Sequence, residues 1–336
     1  MPATFDPAEL RIADGDGQVV VAPCLSFTVW FRFADPPVFL DFYERAFQAL
    51  GAEFTYYRAE SMKRPAKVTP RARTMVPTWI KKPAELKFYF ARFQGGPDLS
   101  GPSLEVHYQH WPKLTPAQED RYRQNLPTLV ERGLLSRSGL TTSTFRITVP
   151  VDHPLATPDR FAAFALEFRV VKEGEFVTGG CDYGLDVDRT RGELADRPAR
   201  ALCMRYPGLD YWAQSIHQWL HRYDPRAQAL LPLVKRAGWI TLASERSVEA
   251  LGGAARLAEA LKGDPSVRLL PFAHGLGLRS GEAPRLGDLS RLDIPYRSVA
   301  AAIRPVRVDR VGAVGSEDEW MKEWLGLLDR EPEAPR

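Results

Sequence analysis

Phe27-Thr28-Val29-Trp30-Phe31-Arg32-Phe33 decides the fold class. Its odd positions are all apolar and its even positions are mixed, which is the period of two that a β-strand needs to turn one face to a core. The same alternation returns in Leu86-Lys87-Phe88-Tyr89-Phe90, Leu104-Glu105-Val106-His107-Tyr108 and Phe145-Arg146-Ile147-Thr148-Val149. Such strands belong to antiparallel or mixed sheets with one face in the core and the other at least partly wet. Outward from them lie helix signals. Phe39, Phe42, Tyr43, Ala46, Phe47 and Leu50 fall on one helical face and Gly51 stops it. Thr115-Pro116-Ala117-Gln118 reads as a capping box opening a helix over 117–132, and Thr157-Pro158-Asp159 opens one whose stripe is Phe161, Phe164, Ala165 and Phe168.

Further along, the pattern predicts strands over 176–187, 238–243, 267–271 and 275–279, and helices over 248–261 and 296–303. The expectation is α+β: mixed or antiparallel sheets with helices packed on one face, two ferredoxin-like halves being one arrangement that fits. The chain divides into an N-terminal arm (1–18), an N-terminal half (19–150) with a basic loop at 61–85, a C-terminal half (151–315), and a C-terminal helix and disordered tail (316–336).

With 336 residues, 44% hydrophobic and 26% charged, the chain can bury a sizeable core without staples. Cys24, Cys181 and Cys203 are sparse, odd in number and without Cys-x-x-Cys spacing, which fits reduced thiols rather than a disulfide framework. No apolar run approaches the ~20 residues of a bilayer span and the first residues show no signal-peptide pattern, so the expected location is cytoplasmic.

The net charge of +3 hides two opposed segments. Residues 58–92 hold ten Lys/Arg against Glu60 and Glu85, a balance of +8. Residues 173–196 hold seven Asp/Glu against Arg189 and Arg191, a balance of −5. Opposed charged faces steer partners.

Candidate chemistry is thin. His217 and His221 have the i, i+4 spacing of a metal-binding pair on a helix, but Gln218 stands where a zincin glutamate would be and no third ligand follows at a recognisable offset. His107 and His110, three apart in a strand, face opposite ways. Gly275-Leu276-Gly277-Leu278-Arg279-Ser280-Gly281 misses dinucleotide-loop spacing and reads as a hairpin. Ser244-Glu245-Arg246-Ser247 reads as a helix cap, and Gly252-Gly253 as a close-packing point inside the next helix. Catalytic residues, cofactor and metal are therefore expected to be absent. The basic segment 58–92, interleaved with Tyr56, Tyr57, Trp79 and Tyr89, has the residue types of a nucleic-acid binder and leaves that reading open.

The last third carries Arg205-Tyr206-Pro207-Gly208-Leu209-Asp210, Gly238-Trp239-Ile240-Thr241-Leu242, Leu251-Gly252-Gly253-Ala254-Ala255, Gly281-Glu282-Ala283-Pro284, Leu286-Gly287-Asp288 and Pro295-Tyr296-Arg297. Pro207-Gly208 suggests a type II turn. In order and spacing, over about Phe145 to Arg307, these motifs resemble the TsiT-like family of type VI secretion immunity proteins. The resemblance implies a protein that neutralises a cognate toxin, a nuclease effector in this reading, by non-catalytic binding in bacterial competition. A nuclease carries a basic substrate surface, so Asp182, Asp186, Asp188, Glu193 and Asp196 are the expected partner-binding residues. Homodimerisation stays open, and the alternatives are a nucleic-acid-binding accessory protein using 58–92 and a metal hydrolase using His217 and His221.

Overall fold

The computed structural model describes residues 7–330, apart from 32–35, 61, 82–87, 97, 110–116, 118–120, 122–123, 129–141, 213–215, 217–218, 228, 290–293 and 310–315. Its frame is an eleven-stranded sheet whose order is Val267–Phe272, Gly275–Ser280, Ile240–Ser244, Thr178–Val187, Val19–Phe31, Ser143–Pro150, Ser103–Gln109, Phe88–Gln94, Tyr56–Ala59 and Ala66–Lys67, with Ile12–Ala13 pairing beside Val19–Phe31. Every neighbouring pair in it is antiparallel. The α+β class expected from the alternating sequence is what the chain forms.

The first part of the chain supplies β1 (Ile12–Ala13), β2 (Val19–Phe31), helix α1 (Pro36–Leu50), β3 (Tyr56–Ala59), β4 (Ala66–Lys67), helix α2 (Pro70–Lys81), β5 (Phe88–Gln94), β6 (Ser103–Gln109) and β7 (Ser143–Pro150). Then come helices α3 (Pro158–Leu166) and α4 (Arg169–Lys172), β8 (Thr178–Val187), helix α5 (Glu193–Arg205) and a separate hairpin of β9 (His221–Asp224) and β10 (Ala229–Pro232). The last part contains β11 (Ile240–Ser244), helices α6 (Glu245–Ala250) and α7 (Ala254–Leu261), β12 (Val267–Phe272), β13 (Gly275–Ser280), and helices α8 (Arg297–Ile303) and α9 (Ser316–Gly326). β11, α6–α7, β12 and β13, ordered β11-β13-β12 in the sheet, follow the split β-α-β plan of a ferredoxin-like half.

β2 is the axis of the sheet. Phe27 stands opposite Ile147 of β7 on one side and Cys181 of β8 on the other, so strands from early and late sequence flank it without a break. Its odd residues Leu25, Phe27, Val29 and Phe31 enter the main core. There Phe42 of α1 stacks on Phe145 at 4.0 Å and on Phe168 at 4.1 Å, and Phe27 stacks on Phe168 at 5.8 Å. Phe161 is buried and Phe164 half-buried on α3, the phase read from the stripe, but that helix stops at Leu166 and Phe168 enters the core from extended backbone between α3 and α4. Aromatic faces at these distances add directional attraction to the area they bury.

The second face of the sheet departs from the expectation of a partly wet surface. Every residue of β7 is buried, and β2 is buried from Val20 to Phe31. A second apolar cluster covers this side, built from Trp30, Ala195, Ala199 and Cys203 of α5, Trp212, and Trp324 of α9. Most helices do pack on one face, but α5 and α9 close the other. The polar half of the alternation was therefore buried polar, not exposed polar.

Three local readings also change. Residues 70–81 form a helix, not a loop, because Ala72, Val76 and Ile80 make a narrow i, i+4, i+8 stripe that Pro70, Pro77 and the many cations disguise. The helix expected over 248–261 breaks in two at Gly252 and Gly253, both at φ +90°, a conformation open to glycine and costly for other residues. Tyr206–Leu209 is a turn closed by Leu209 N–H donating to Tyr206 O at 3.0 Å, but Gly208 lies outside the left-handed region that a type II turn requires. Gly208 is needed for space instead, since a Cβ there would overlap the carbonyl of Arg285. As read, Gly275–Ser280 is one arm of a hairpin, and Ser244 caps α6 by accepting from Ser247 N–H. Thr115, Pro116 and Gln118 of the proposed capping box lie outside the described residues.

Candidate functional site

The late motifs converge on one buried polar hub. Asp182 of β8 accepts from Tyr296 Oη at 3.0 Å and from the N–H groups of Tyr183 at 2.9 Å and Trp239 at 3.3 Å. Tyr296 Oη in turn accepts from Arg285 N–H at 2.6 Å. Tyr296 holds φ +61°, a region that a bulky residue occupies only when its surroundings fix it. Asp210, which ends the Arg205–Asp210 motif, accepts from Lys235 Nζ at 2.6 Å, and the same ammonium donates to Tyr211 O at 2.9 Å. Arg236 donates to the carbonyls of Leu209, at 2.6 Å, and Pro207. The corner is tied down further by Gly208 N–H donating to Leu286 O at 2.6 Å.

Both cations of the hub are sheltered by aromatic rings. Lys235 Nζ lies 5.3 Å from the Trp30 ring and 5.4 Å from the Trp324 ring, and Arg236 sits 4.6 Å over Trp324. Burial raises Asp182 well above the usual carboxylate range and the charge of Asp210 adds to the rise, against the pull of Arg236 and of the Tyr296 hydrogen bond. Burial also lowers Lys235 and Arg236, with Asp210 opposing the fall in both. Beside the hub is a cavity of about 30 Å³ bounded by Thr28, Trp30, Asp182, Asp210, Lys235 and Arg236, the space of about one water molecule. Lys235 and Arg236 escaped the sequence reading because adjacent cations default to the surface. Their setting between apolar Val234 and Ala237, just before the Gly238–Leu242 motif, was the available signal.

A second buried network lies on the same side of the sheet. Arg92 of β5 donates to Asp186 of β8 at 2.7 Å and to Val187 O at 3.4 Å. Arg146 donates to Leu185 O at 2.9 Å, and Glu105 pairs with His107 at 2.7 Å. Burial alone would raise Glu105, but the His107 hydrogen bond and the charges of Arg189, His107 and Arg92 bring it well below the carboxylate range.

The five acidic residues expected to form one contact surface do not. Asp182 is 6% and Asp186 3% exposed, each committed to the interior bonds just described. Asp188 is half-buried and accepts from Thr190 N–H and Oγ1, Asp196 is half-buried and accepts from Tyr211 Oη at 3.1 Å, and Glu193 is exposed at the start of α5. Only Asp188, Glu193 and Asp196 remain reachable. Next to them Leu194 is 66% exposed, the large hydrophobic side chain that stands out from the described surface. In the basic segment Arg92 is likewise withdrawn into the core, and Lys82 and Lys87 lie outside the described residues.

Of the histidine pair, His221 lies on a strand and not on the helix expected for it. His221 opens strand β9 and is buried, while His217 and His110 fall outside the described residues. Among the described residues no group of three or more His, Cys, Asp or Glu could hold a metal ion, and no helix is long and apolar enough to cross a membrane. A cleft of about 490 Å³ opens between the segment just before β8, the β9–β10 hairpin and α6, with Phe176, His221 and Pro232 in its wall and Glu175, Glu245, Arg246 and Glu249 exposed around it. Such a lining offers shape and charge for contact.

The hub falls within a segment, residues 133–325, that matches the TsiV family model, described as type VI immunity for VRR-NUC. The match covers more than half of the 336 residues, and the chain belongs to this family of type VI secretion immunity proteins. Among solved structures it is similar to a Pseudomonas aeruginosa T6SS protein, with TM-score 0.69 and 15% identity over 96% of this chain and 88% of that one. At that identity the likeness is one of fold. No curated protein sequence gives a significant match.

Proposed function

We propose that this protein is the immunity partner of a VRR-NUC toxin, and that it neutralises the toxin by stoichiometric binding without chemistry of its own. The observation that carries this reading is the family match over residues 133–325, which contains every residue of the Asp182–Asp210–Lys235–Arg236–Tyr296 hub. The hub supports it further. Its charged groups are spent on one another and on backbone carbonyls in the interior, so they hold the late loops in place and leave recognition to the surface. Fixed loops lower the ordering cost of association. Asp188, Glu193 and Asp196 are acidic groups that a basic nuclease surface can meet, with Leu194 as an apolar point between them.

Co-expression with a VRR-NUC toxin tests the reading. The expected outcome is restored growth together with co-purification of both chains in equal amounts. Growth restored by toxin that has been cleaved or modified, with no complex recovered, would contradict it.

A further inference from the structure

We infer that the end of the sheet formed by β3, β4 and α2 is a second contact surface, built to meet an acidic face of a protein partner. The inference rests on the immunity reading above for the identity of that partner. Lys63 and Arg64 in the β3–β4 turn, Lys67 of β4, and Arg71, Arg73 and Lys81 of α2 are all exposed. None of the six has an acidic partner among the described residues, and Arg73 spends one hydrogen bond on Gly51 O at 3.3 Å. Residues 58–81 carry seven Lys/Arg against Glu60 alone, a balance of +6 gathered at one end of the sheet.

Two observations set this patch apart from an ordinary solvated face. The first is its placement on α2. Arg71 and Arg73 sit in the first turn of the helix, which contains no acidic residue, so their charges oppose the positive end of the helix dipole. Arg73 offsets part of this cost through its hydrogen bond to Gly51 O, whereas Arg71 breaks the local rule with no side-chain partner among the described residues, as positions shaped by function do. The second is the contrast with the buried cations of the core. Arg92, Arg146, Lys235 and Arg236 are buried against carboxylates or carbonyls, whereas these six are exposed, close together in sequence, and meet no carboxylate among the described residues.

A protein surface fits the patch better than a nucleic acid does. Three of the four aromatic rings that the sequence interleaves with these cations are already used. Trp79 stacks on Tyr89 at 4.9 Å and 24°, and Tyr57 stacks on Phe93 at 6.2 Å and 24°. Faces packed against other rings are not offered to bases, so the patch lacks the stacking platform that single-stranded nucleic acid requires. What remains is a set of long cationic side chains suited to carboxylates, including the clusters with which nucleases hold divalent cations. The patch also lies outside residues 133–325, so it is a feature of the chain beyond the segment that defines the family.

The test uses full-length protein and the VRR-NUC toxin of the co-expression experiment. Lys63→Glu/Arg64→Glu/Lys67→Glu and Arg71→Glu/Arg73→Glu are compared with wild type and with Asp188→Lys/Glu193→Lys. Because Lys63, Arg64 and Lys67 are exposed and meet no carboxylate, thermal unfolding of their variant should match wild type, whereas the α2 variant exchanges the Arg73–Gly51 O bond for carboxylates at the helix N-terminus and its unfolding is measured alongside. Association rates are measured at about 50 mM and about 300 mM salt, spanning the range over which exposed charges are screened. Each basic variant should associate at least about tenfold more slowly at low salt, a difference that shrinks at high salt while dissociation changes little. Wild-type association rates in both basic variants would overturn the inference and leave the immunity reading intact. Failure of the wild-type protein to bind the toxin would overturn both. Tight binding of a short DNA duplex, lost in these variants while toxin association is unchanged, would replace the protein partner with nucleic acid.

Discussion

Arg92 of β5 donates to Asp186 of β8 at 2.7 Å although β6, β7 and β2 lie between their strands in the sheet. The sheet curls enough to bring its second face together around this pair. The two residues come from the segments of opposite charge that stand out in the sequence, and they neutralise each other in the interior. With Arg92 7% and Asp186 4% exposed at the side chain, removing either partner leaves a buried charge whose nearest opposite charge is 3.9 Å away, Arg146 for Asp186 and Glu105 for Arg92. Arg92→Ala or Asp186→Ala should each cost about 3–5 kcal/mol in urea unfolding, and Arg92→Met/Asp186→Leu should cost less than the sum of the two. Losses below about 1 kcal/mol would show that the network is not held as described.

Gly208→Ala should destabilise by about 1–3 kcal/mol, since the added Cβ meets the Arg285 carbonyl in a corner where backbone faces backbone. Gly263→Ala, with open space around the position, is the matched control and should be close to neutral. Equal effects of the two would mean that the corner has room to relax.

The acid dependence of stability should carry the signature of Glu105. Its folded-state pKa lies below the ordinary 4.5, so its contribution is complete above that value and is lost as pH falls from about 4.5 toward the folded value. The stability difference between wild type and Glu105→Gln should therefore shrink steadily below about pH 4.5. Asp182 has the opposite sign: its raised pKa makes ionisation costly, and its contribution improves as pH falls toward the ordinary 3.8. A wild-type and Glu105→Gln gap that does not change with pH would contradict the first assignment.

Cys24, Cys181 and Cys203 are free and buried, and burial pushes the Cys24 thiol up to about 12. A thiol reagent at neutral pH should label none of them in the native protein within the time needed to label all three in denaturant. Fast labelling of one cysteine under native conditions would reveal local opening of its strand or helix.

The fold was legible where one rule acted alone. The β2 alternation, the α1 stripe and the Ser244 cap each follow from local period or hydrogen bonding, and the chain forms them. It was less legible where long-range burial set the outcome. Thr28, Arg146 and Glu105 occupy the polar positions of alternating strands, and only the packing of α5, Trp212 and α9 over them decides that they are buried. The same holds for the acidic residues. Asp182 and Asp186 alternate along β8 with Cys181, Leu185 and Val187, so strand periodicity placed them on the opposite face, but could not say whether that face was water or protein. The late motifs were visible as motifs, and their convergence was not, because Tyr296 reaches Asp182 across 114 residues of sequence.

The most direct test of the immunity account is a titration of VRR-NUC nuclease activity with this protein at a toxin concentration well above the dissociation constant. Non-catalytic capture predicts that activity falls linearly and reaches zero at one equivalent, with intact toxin recovered after the complex is denatured. Complete loss of activity at a small fraction of an equivalent, or undiminished activity in excess protein, would contradict it.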